Sequence, residues 1–459
     1  MSEHLPRLSR EVLPRDLQSK APVRIVHLGL GAFHRSHQAW FTQHAGDAGE
    51  WGIASFTGRR PDAAHVLAAQ DGLFTVVERS DSGDSFEVVG SIVEAVDGAD
   101  VQRLVALLAS PQTAVVTLTI TEAAYGLGAD DVPRLLAGDQ PATPLGRLVR
   151  GLAARREADA GPLAVVSCDN LSDNGNVARS ALLGLARDVD AGLAGWIEAT
   201  ISFVSTSVDR ITPRTTAEDV ALVARQCGYR DEAPVVAEPF RNWVLSGEFP
   251  AGRPRWEDAG ALFVDDIEPY ENRKLWLLNG AHSILAYAGQ LRGHATVAQA
   301  LADPVCLDAV EEFWDEASHH LTGHHLGIPE YRAALLERFG NARIAHHLAQ
   351  IAMDATTKLR MRALPVLAAE RAAGRSGNGA ARMIAAWAAY VEGNPSLQDP
   401  QAGAVAKANG LAGTDRTAAL ISLLDHELAR DSAVVNLVHK LSRDLATSMQ
   451  PVATLGNPS

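Results

Sequence analysis

The segment that decides the fold is VRIVHLGLGAFHRSH, residues 23–37. Its apolar run, Arg24 to Leu28, is typical of a buried β-strand, and the run leads into Gly29-Leu30-Gly31 and then a predicted helix. Glycines at such a turn let backbone N–H groups approach a diphosphate at a helix N-terminus. The pattern is incomplete because His34 occupies its third glycine position. A plain strand-to-helix turn is therefore the alternative interpretation.

Short apolar runs and amphipathic stretches alternate through the first half of the chain. Further predicted strands are WGIASF, AVVTLTIT, LAVVSCDN and ISFVSTS, and DVQRLVALLAS and PLGRLVRGLAARREA have helical apolar spacing. This βα order predicts an α/β fold with a doubly wound, Rossmann-type parallel sheet. From about residue 269 the periods become long and helical. We therefore predict a dinucleotide-binding domain over residues 1–265 and a mostly α-helical substrate-binding and catalytic domain over residues 266–459.

The position of the glycine turn, in the first βα unit of an alternating domain, favours a dinucleotide site. The predicted cofactor-binding residues of the turn are Gly29, Gly31, Ala32, Phe33 and His34. After WGIASF, where an acidic residue usually holds the ribose, the chain has Thr57-Gly58-Arg59-Arg60. Arg59 and Arg60 would accept a 2′-phosphate and favour NADP, but they are equally consistent with an exposed loop. The cofactor, NAD or NADP, stays open.

Bulk composition excludes several classes of partner. The net charge of −14 and pI near 5.6 disfavour nucleic acid and anionic membranes. No apolar run approaches the roughly 18 residues of a membrane span. The three cysteines are too few and too scattered for a disulfide framework, which favours a cytoplasmic location. We expect a small-molecule substrate, no nucleic acid or membrane partner, and a monomer or small homo-oligomer.

A second segment, KLWLLNGAH, carries polar groups on an otherwise apolar helix. At about 100° per residue, Lys274, His282 and Asn279 lie at roughly 0°, 80° and 140°, on one side of an α-helix, with Glu271 at roughly 60°. A lysine among apolar neighbours loses hydration of its charged form, so we expect its pKa to fall toward neutrality, as a general base requires. The alternative is a solvated surface lysine. The clustering favours a site.

These segments together resemble one known family. GLGAFHRSHQAW, DGLFTVVE, TLTITE, SCDN, VDRITP, AEPFRNWV, KLWLLNGAHS and QIAMD are similar to the polyol-specific long-chain dehydrogenases, which include mannitol 2-dehydrogenase and fructuronate reductase (mannonate dehydrogenase). The resemblance runs from about residue 24 to about residue 366. It implies a metal-independent, NAD(P)-dependent enzyme with an N-terminal Rossmann-type domain and a helical C-terminal domain.

The resemblance also implies roles for individual residues. Lys274 would be the general base that takes the hydroxyl proton while hydride leaves the same carbon. Asn279 and Asn170, the latter in SCDN, would form the oxyanion hole. His282 would bind a neighbouring hydroxyl, and Glu271 would match the acidic residue that helps govern proton release from the lysine.

Other matched positions concern the cofactor and the far end of the substrate. Glu122 in TITE and Asp209 in VDRITP would lie near the nicotinamide end of the site. Fructuronate reductases carry lysine-leucine where this chain has Lys358-Leu359, whereas mannitol dehydrogenases tend to carry arginine-histidine. Cations at Lys358, Arg360 or Arg362 would pair with a substrate carboxylate. This favours an aldonate of the mannonate/fructuronate type, with mannitol or arabinitol as the alternative.

Two features compete with this interpretation. The pairs His319-His320, His324-His325 and His346-His347 suggest a metal, but no open catalytic motif appears and Gly323 interrupts the run, so we expect no metal. A non-catalytic dinucleotide-binding sensor is the remote alternative. The presence of a base, two amides and a histidine argues for an oxidoreductase that transfers hydride between NAD(P) and a secondary alcohol of a polyol or aldonate.

Overall fold

The computed structural model describes residues 5–13, 18–126, 128–394 and 398–447. The chain divides into two compact units, one ending at Glu268 and one beginning at Pro269. The first unit alternates strands and helices, and the described part of the second is largely helical. The predicted fold class is therefore confirmed.

The first unit contains a large and a small β-sheet. Its strands are β1 (Val23–Leu28), β2 (Gly52–Phe56), β3 (Phe74–Ser80), β4 (Gly83–Val89), β5 (Ile92–Val96), β6 (Val115–Leu118), β7 (Leu163–Ser167), β8 (Ile201–Asp209), β9 (Val235–Ala237), β10 (Asn242–Ser246) and β11 (Leu262–Phe263). The large sheet has the order β11-β10-β8-β7-β6-β1-β2-β5, and the strands from β8 to β5 are parallel. Strand order reverses at β1, between β2 and β6. Sheets of this kind bind ligands at the carboxyl ends of the strands beside such a point.

Both faces of the large sheet are covered, which explains its apolar strands. Ile25 and Ile53 belong to the core on one face, and Val26 and Ala54 to the core on the other. The small sheet, β4-β3-β9, was not among the predicted strands. β4 is mostly half-exposed and polar, so a search for apolar runs passes over it.

The helices of the first unit pack against its two sheets. They are α1 (Ala32–His34), α2 (Trp40–Gln43), α3 (Asp62–Ala68), α4 (Val101–Leu108), α5 (Val132–Ala137), α6 (Pro144–Glu157), α7 (Asn174–Val189), α8 (Ala191–Thr200) and α9 (Ala217–Cys227). The helices predicted from DVQRLVALLAS and PLGRLVRGLAARREA are α4 and α6. Each begins at a side-chain cap, Asp100 for α4 and Thr143 for α6.

The second unit is built around a buried helix, α18. Its helices are α10 (Glu268–Arg273), α11 (Ala281–Leu291), α12 (Val297–Leu301), α13 (Pro304–Ser318), α14 (Ile328–Gly340), α15 (Leu348–Ile351), α16 (Ala355–Arg362), α17 (Leu364–Ala372), α18 (Asn378–Glu392), α19 (Ala402–Asn409), α20 (Gly413–Leu424) and α21 (Ser432–Thr447). α18 packs against α11, α13 and α21. Within the described residues, no helix has both the length and the apolar character needed to span a bilayer.

Candidate active site

The turn after β1 accepts only glycine at its first position. Gly29 has φ +115°, and a Cβ added there would lie 2.1 Å from the carbonyl oxygen of Thr119. The N–H groups of Gly29 and Leu30 donate to the carbonyl of Phe56 (2.9 and 2.8 Å), which closes the turn against β2. Gly31 is extended and precedes α1. Two glycines in this turn fit the close backbone approach that a diphosphate requires.

His34 lies beneath this turn. It is fully buried, and its ring stacks on that of His27 with centroids 3.3 Å apart. His27 is 2.8 Å from the hydroxyl of Thr117 and 3.0 Å from that of Thr119, and the Thr119 hydroxyl donates to the carbonyl of Gly29 (2.9 Å). The imidazole of His34 therefore packs on the histidine that braces the turn, and its predicted contact with the cofactor stays a prediction.

The other predicted residues of the first unit lie at strand ends. Glu122 and Asn170 are exposed and follow β6 and β7, and Asp209 is the last residue of β8. Arg59 is exposed after β2, whereas the neighbouring Arg60 pairs with Asp62 (3.6 Å). The carboxyl ends of parallel strands meet at one edge of a sheet. Because Arg59 is exposed, it is accessible to a phosphate, and its contact with the cofactor stays a prediction.

The segment that carries the predicted base is a π-helix, Lys274–Gly280, between α10 and α11. The α-helical geometry predicted for it is therefore wrong. In a π-helix the hydrogen bonds run from residue i to i+5, so Lys274 and Asn279 lie about one turn apart along the axis. Both side chains are half-buried, as is Glu271. The widened turn brings a lysine and an amide closer together than the roughly 140° separation of an α-helix.

Side chains from other helices explain the widened turn. The indole N–H of Trp314 donates to the carbonyl of Leu277 (2.7 Å), and Arg362 donates to the carbonyl of Asn279 (3.1 Å). Groups that bond helix carbonyls in this way disturb the regular i→i−4 ladder. The ring of Phe313 packs directly against the backbone of Gly280, where an added Cβ would lie 2.4 Å from it. π-helical segments of this kind occur frequently at functional sites.

A second π-helix, Arg35–Ala39, lies between α1 and α2, directly after the glycine turn. Here too side chains bond helix carbonyls: Arg210 donates to Ser36 (2.5 Å) and Ser91 to Ala39 (2.7 Å). Each unit therefore has a π-helix in the segment for which the sequence predicts chemistry.

Arg273, which directly precedes Lys274, does not join the polar cluster. It is 6 % exposed, its guanidinium lies over the rings of Tyr331 (4.2 Å) and Tyr270 (5.2 Å), and it donates to the carbonyl of Leu326. Burial lowers its pKa, but a guanidinium stays charged at working pH. The contacts with the two tyrosine rings stabilise this buried cation away from the polar cluster.

His282 is a neutral, buried imidazole. Its Nε2 has no hydrogen-bond partner, and its ring meets the edge of His346 at 4.8 Å. Burial lowers the pKa of His282 well below its ordinary value, and the positive charges of Arg338, Arg362 and Lys358 lower it further. A buried polar atom without a partner is rare and points to a ligand or water. The predicted contact of this nitrogen with a substrate hydroxyl stays a prediction.

The predicted substrate cations separate into two groups. Arg362 donates to the hydroxyl of Ser283 (2.9 Å) as well as to Asn279, and Lys358 lies on the same face of α16 one turn earlier. Burial lowers the pKa of Lys358 and brings that of Arg362 to about 10. Arg360 is exposed and donates elsewhere, to the carbonyl of Leu423 (2.6 Å). Nothing in the sequence pointed to Arg338, which belongs to no local motif, and His346 was singled out only as part of a histidine pair.

Histidines of two of the three pairs contact other side chains. His319 and His320 lie 3.1 and 2.7 Å from the carboxylate of Glu370, and His346 contacts His282. In the part of the chain that the structure describes, no group of three or more His, Cys, Asp or Glu side chains could hold a metal ion.

We expect the buried neutral histidines to make stability fall in acid. Burial lowers the pKa of His27 to about 3 and those of His34 and His282 well below the ordinary value. The unfolded chain therefore binds protons that the folded chain does not, below about pH 6.5. As the pH falls below about 6.5, each of these histidines lowers the free energy of unfolding by up to about 1.4 kcal/mol per pH unit.

Urea unfolding between pH 7 and pH 5 measures this slope. His27→Gln should flatten it, whereas the same change at the exposed His65 should not. A free energy of unfolding that stays constant over this range would contradict the neutral assignment.

Both parts of the sequence match models of one family. The Mannitol dehydrogenase Rossmann domain matches residues 23–258, and the Mannitol dehydrogenase C-terminal domain matches residues 266–445. D-mannonate oxidoreductase of Escherichia coli (strain K12) is 36% identical over 437 residues, 88% of this chain and 89% of that protein. Mannitol 2-dehydrogenase of Cereibacter sphaeroides is 36% identical over 387 residues, 80% of this chain and 81% of that protein.

A solved structure agrees with these matches. It is Pseudomonas fluorescens mannitol 2-dehydrogenase in ternary complex with NAD and D-mannitol, with a TM-score of 0.75 and 32% identity over 94% of each chain. The predicted resemblance is confirmed: the chain belongs to the mannitol dehydrogenase family and is an oxidoreductase of its polyol and aldonate dehydrogenase class.

Proposed function

We propose that the chain transfers hydride between NAD(P) and a secondary alcohol of a polyol or aldonate, without a metal and with Lys274 as the general base. The observation that supports this proposal is the π-helix, in which Lys274 and Asn279 lie about one turn apart, shortly before the buried His282. A base, an amide donor and a neutral imidazole are the groups that alcohol oxidation requires.

The residues divide the chemistry among them. Lys274 takes the proton of the substrate hydroxyl, and the amide of Asn279 donates to the oxygen as negative charge develops there. His282 Nε2 orients a neighbouring hydroxyl, and Glu271 and Asn170 keep their predicted roles in proton release and oxygen binding. A bound nicotinamide would supply the hydride acceptor.

The first unit is proposed to hold the cofactor. Gly29 and Gly31 would place the diphosphate, with Arg59, Glu122 and Asp209 along the same sheet edge. NAD is favoured because the related mannitol 2-dehydrogenase binds it. The exposed Arg59 keeps NADP as the second candidate, since arginine matches a 2′-phosphate.

An aldonate is favoured over a neutral polyol as substrate. Arg362, Lys358 and Arg338 are the cations that act on the His282 ring, so positive charge surrounds the nitrogen that would bind a substrate hydroxyl. A carboxylate would offset this charge, and a relative with 36% identity is a D-mannonate oxidoreductase. Mannitol or arabinitol is the second candidate, supported by relatives named mannitol 2-dehydrogenase and D-arabinitol 4-dehydrogenase.

A substrate panel tests the proposal. NAD(P)H absorbance would be followed with mannonate, fructuronate, mannitol, fructose and arabinitol, with NAD(H) and NADP(H) in parallel. We expect turnover, fastest with the aldonate pair, and no effect of a chelator. Cofactor binding without any turnover would favour the sensor, and loss of activity in chelator restored by zinc would overturn the metal-free mechanism.

Arg362→Met should discriminate between charged and neutral substrates. A charge-assisted hydrogen bond contributes about 1.5–3 kcal/mol, so kcat/KM for mannonate should fall about 10- to 100-fold more than that for mannitol. The ratio matters because Arg362 also bonds Asn279, whose displacement would affect both substrates equally. Arg371→Met, which removes an arginine paired with Asp431 on the surface, is the control. An unchanged ratio would remove Arg362 from carboxylate binding.

Two further expectations remain predictions. The cytoplasm is the proposed location, supported by the free cysteines Cys168, Cys227 and Cys306. A monomer or small homo-oligomer is the proposed assembly, and sedimentation would determine it.

A further inference from the structure

A buried carboxylate, Asp169, organises the segment that follows β6. Asp169 comes shortly after β7 and is 8 % exposed. Its carboxylate accepts the backbone N–H groups of Ile120 (3.1 Å) and Thr121 (2.8 Å) and the hydroxyl of Tyr125 (2.7 Å). Three donors from one loop thus converge on a single side chain at the end of the neighbouring strand.

Thr121 has a backbone conformation that this carboxylate explains. Its φ is +73°, in the left-handed region, where a β-branched residue is a genuine outlier. Such strain persists only where surrounding contacts impose it, and it clusters at functional sites. The bond from the Thr121 N–H to Asp169 is a contact that imposes it here. Because Glu122 follows directly, this conformation sets the direction in which Glu122 leaves the end of β6.

The network continues on both sides of the carboxylate. The Tyr125 hydroxyl gives its proton to Asp169 and so accepts from Ser167 (2.8 Å), and burial raises the pKa of Tyr125, which keeps it a donor. The amide of Asn174 donates to the carbonyls of Asp169 (2.9 Å) and Thr206 (2.7 Å). The backbone of Asp169 is therefore fixed between β7 and β8, together with the residue that follows it.

We infer that Asp169 is a positioning residue of the active site. It holds Thr121 in its left-handed conformation and thereby places Glu122, and its own fixed backbone places Asn170. The inference rests on the proposed function, because these two residues matter only if the strand ends form a dehydrogenase site. Asp169 acts through the backbone and needs no contact with substrate or cofactor.

Asp169→Asn tests this inference. An amide offers one acceptor oxygen and turns its NH₂ toward a backbone N–H, so it cannot satisfy both amides. We expect kcat per cofactor-binding site to fall about 100-fold, the usual effect of a small misplacement of a reacting group. Calorimetric titration with NADH counts the sites, so misfolded protein does not enter kcat.

Two further variants complete the set. Tyr125→Phe removes one of the three donors and should lower kcat about tenfold, which supplies a milder change. Asp159→Asn is the control: this exposed aspartate also has a positive φ (+49°), which asparagine tolerates, and kcat should not change. A value of kcat per site within twofold of wild type for Asp169→Asn would overturn the inference.

Adding Thr121→Gly to Asp169→Asn separates positioning from stability. Glycine adopts the left-handed conformation freely, so kcat should recover several-fold. A purely structural role predicts no recovery, because glycine also favours the unfolded chain. Failure of this rescue would likewise overturn the inference.

Hydrogen exchange provides a readout that is independent of turnover. The amides of Ile120 and Thr121 should be protected in the wild type and exchange rapidly in Asp169→Asn. If the wild type turned over no substrate of the panel, the proposed function would fail. Amide exchange alone would then decide whether Asp169 fixes the backbone of Ile120 and Thr121. Equal protection in both proteins would overturn it.

Discussion

Lys274→Ala is expected to lower kcat for alcohol oxidation by about 10³- to 10⁴-fold, near the upper limit for general base catalysis. Lys274 is half-buried in a π-helix whose carbonyls accept hydrogen bonds from Trp314 and Arg362, so its backbone is fixed. In the proposed mechanism its amine replaces bulk water as the proton acceptor. The variant loses both the acceptor and its placement. Cofactor binding should survive, because the predicted cofactor residues belong to the first unit.

Three measurements distinguish a base from a structural lysine. Lys407→Ala, at an exposed position of α19, should leave kcat unchanged. Added methylamine should restore part of the lost rate to Lys274→Ala, because a free amine can occupy the space and accept the proton. The wild-type oxidation rate should also rise with pH as the lysine loses its proton. A variant with near-normal kcat, or a wild-type rate that is flat with pH, would contradict the assignment.

Local patterns were sufficient to predict the frame of the first unit. The runs that became β1, β2, β6, β7 and β8 are apolar because helices cover both faces of the sheet, and Gly29 is required by a carbonyl 2.1 Å from its missing Cβ. Such features can be recognised from residues that are close together in the sequence. The hairpin of β3 and β4 was missed because its second strand is polar and half-exposed.

The site itself depends on residues distant in sequence. The π-helix at Lys274 accepts hydrogen bonds from Trp314 and Arg362, and the left-handed conformation of Thr121 is held by Asp169. These partners are far away in the sequence, so neither feature could be predicted from the residues next to it. The long helical periods predicted from about residue 269 are likewise interrupted, since α16 begins after Asp354 at φ +54°.

A second limit concerns the direction of side chains. Lys358, Arg360 and Arg362 were predicted together as substrate cations, yet two residues along a helix point to nearly opposite sides. Helical spacing alone would have separated Arg360 from the other two once the extent of α16 was known. Arg338 offered no such signal, because it lies on α14 and acts on His282 only through the fold of the unit.

Asn279→Ala is expected to lower kcat about 10²- to 10³-fold, the usual effect of removing one oxyanion donor. The side chain can be removed without disturbing the helix, because Arg362 bonds the backbone carbonyl of Asn279 and alanine is a good helix former. KM should change little, since the amide acts mainly on charge that develops in the transition state. Single-turnover rates with the substrate that the panel identifies would measure the effect.

Asn279→Asp provides the stricter test of the same role. A carboxylate nearly matches the amide in shape but cannot donate, and its charge opposes the developing oxyanion, so kcat should fall below that of Asn279→Ala. Asn409→Ala is the structural comparison: its amide donates to the carbonyl of Val391 (2.8 Å), so stability should fall while kcat per folded enzyme does not. If Asn279→Asp were the more active of the two site variants, the amide would not be an oxyanion donor, and Lys274 would have to act with a different partner.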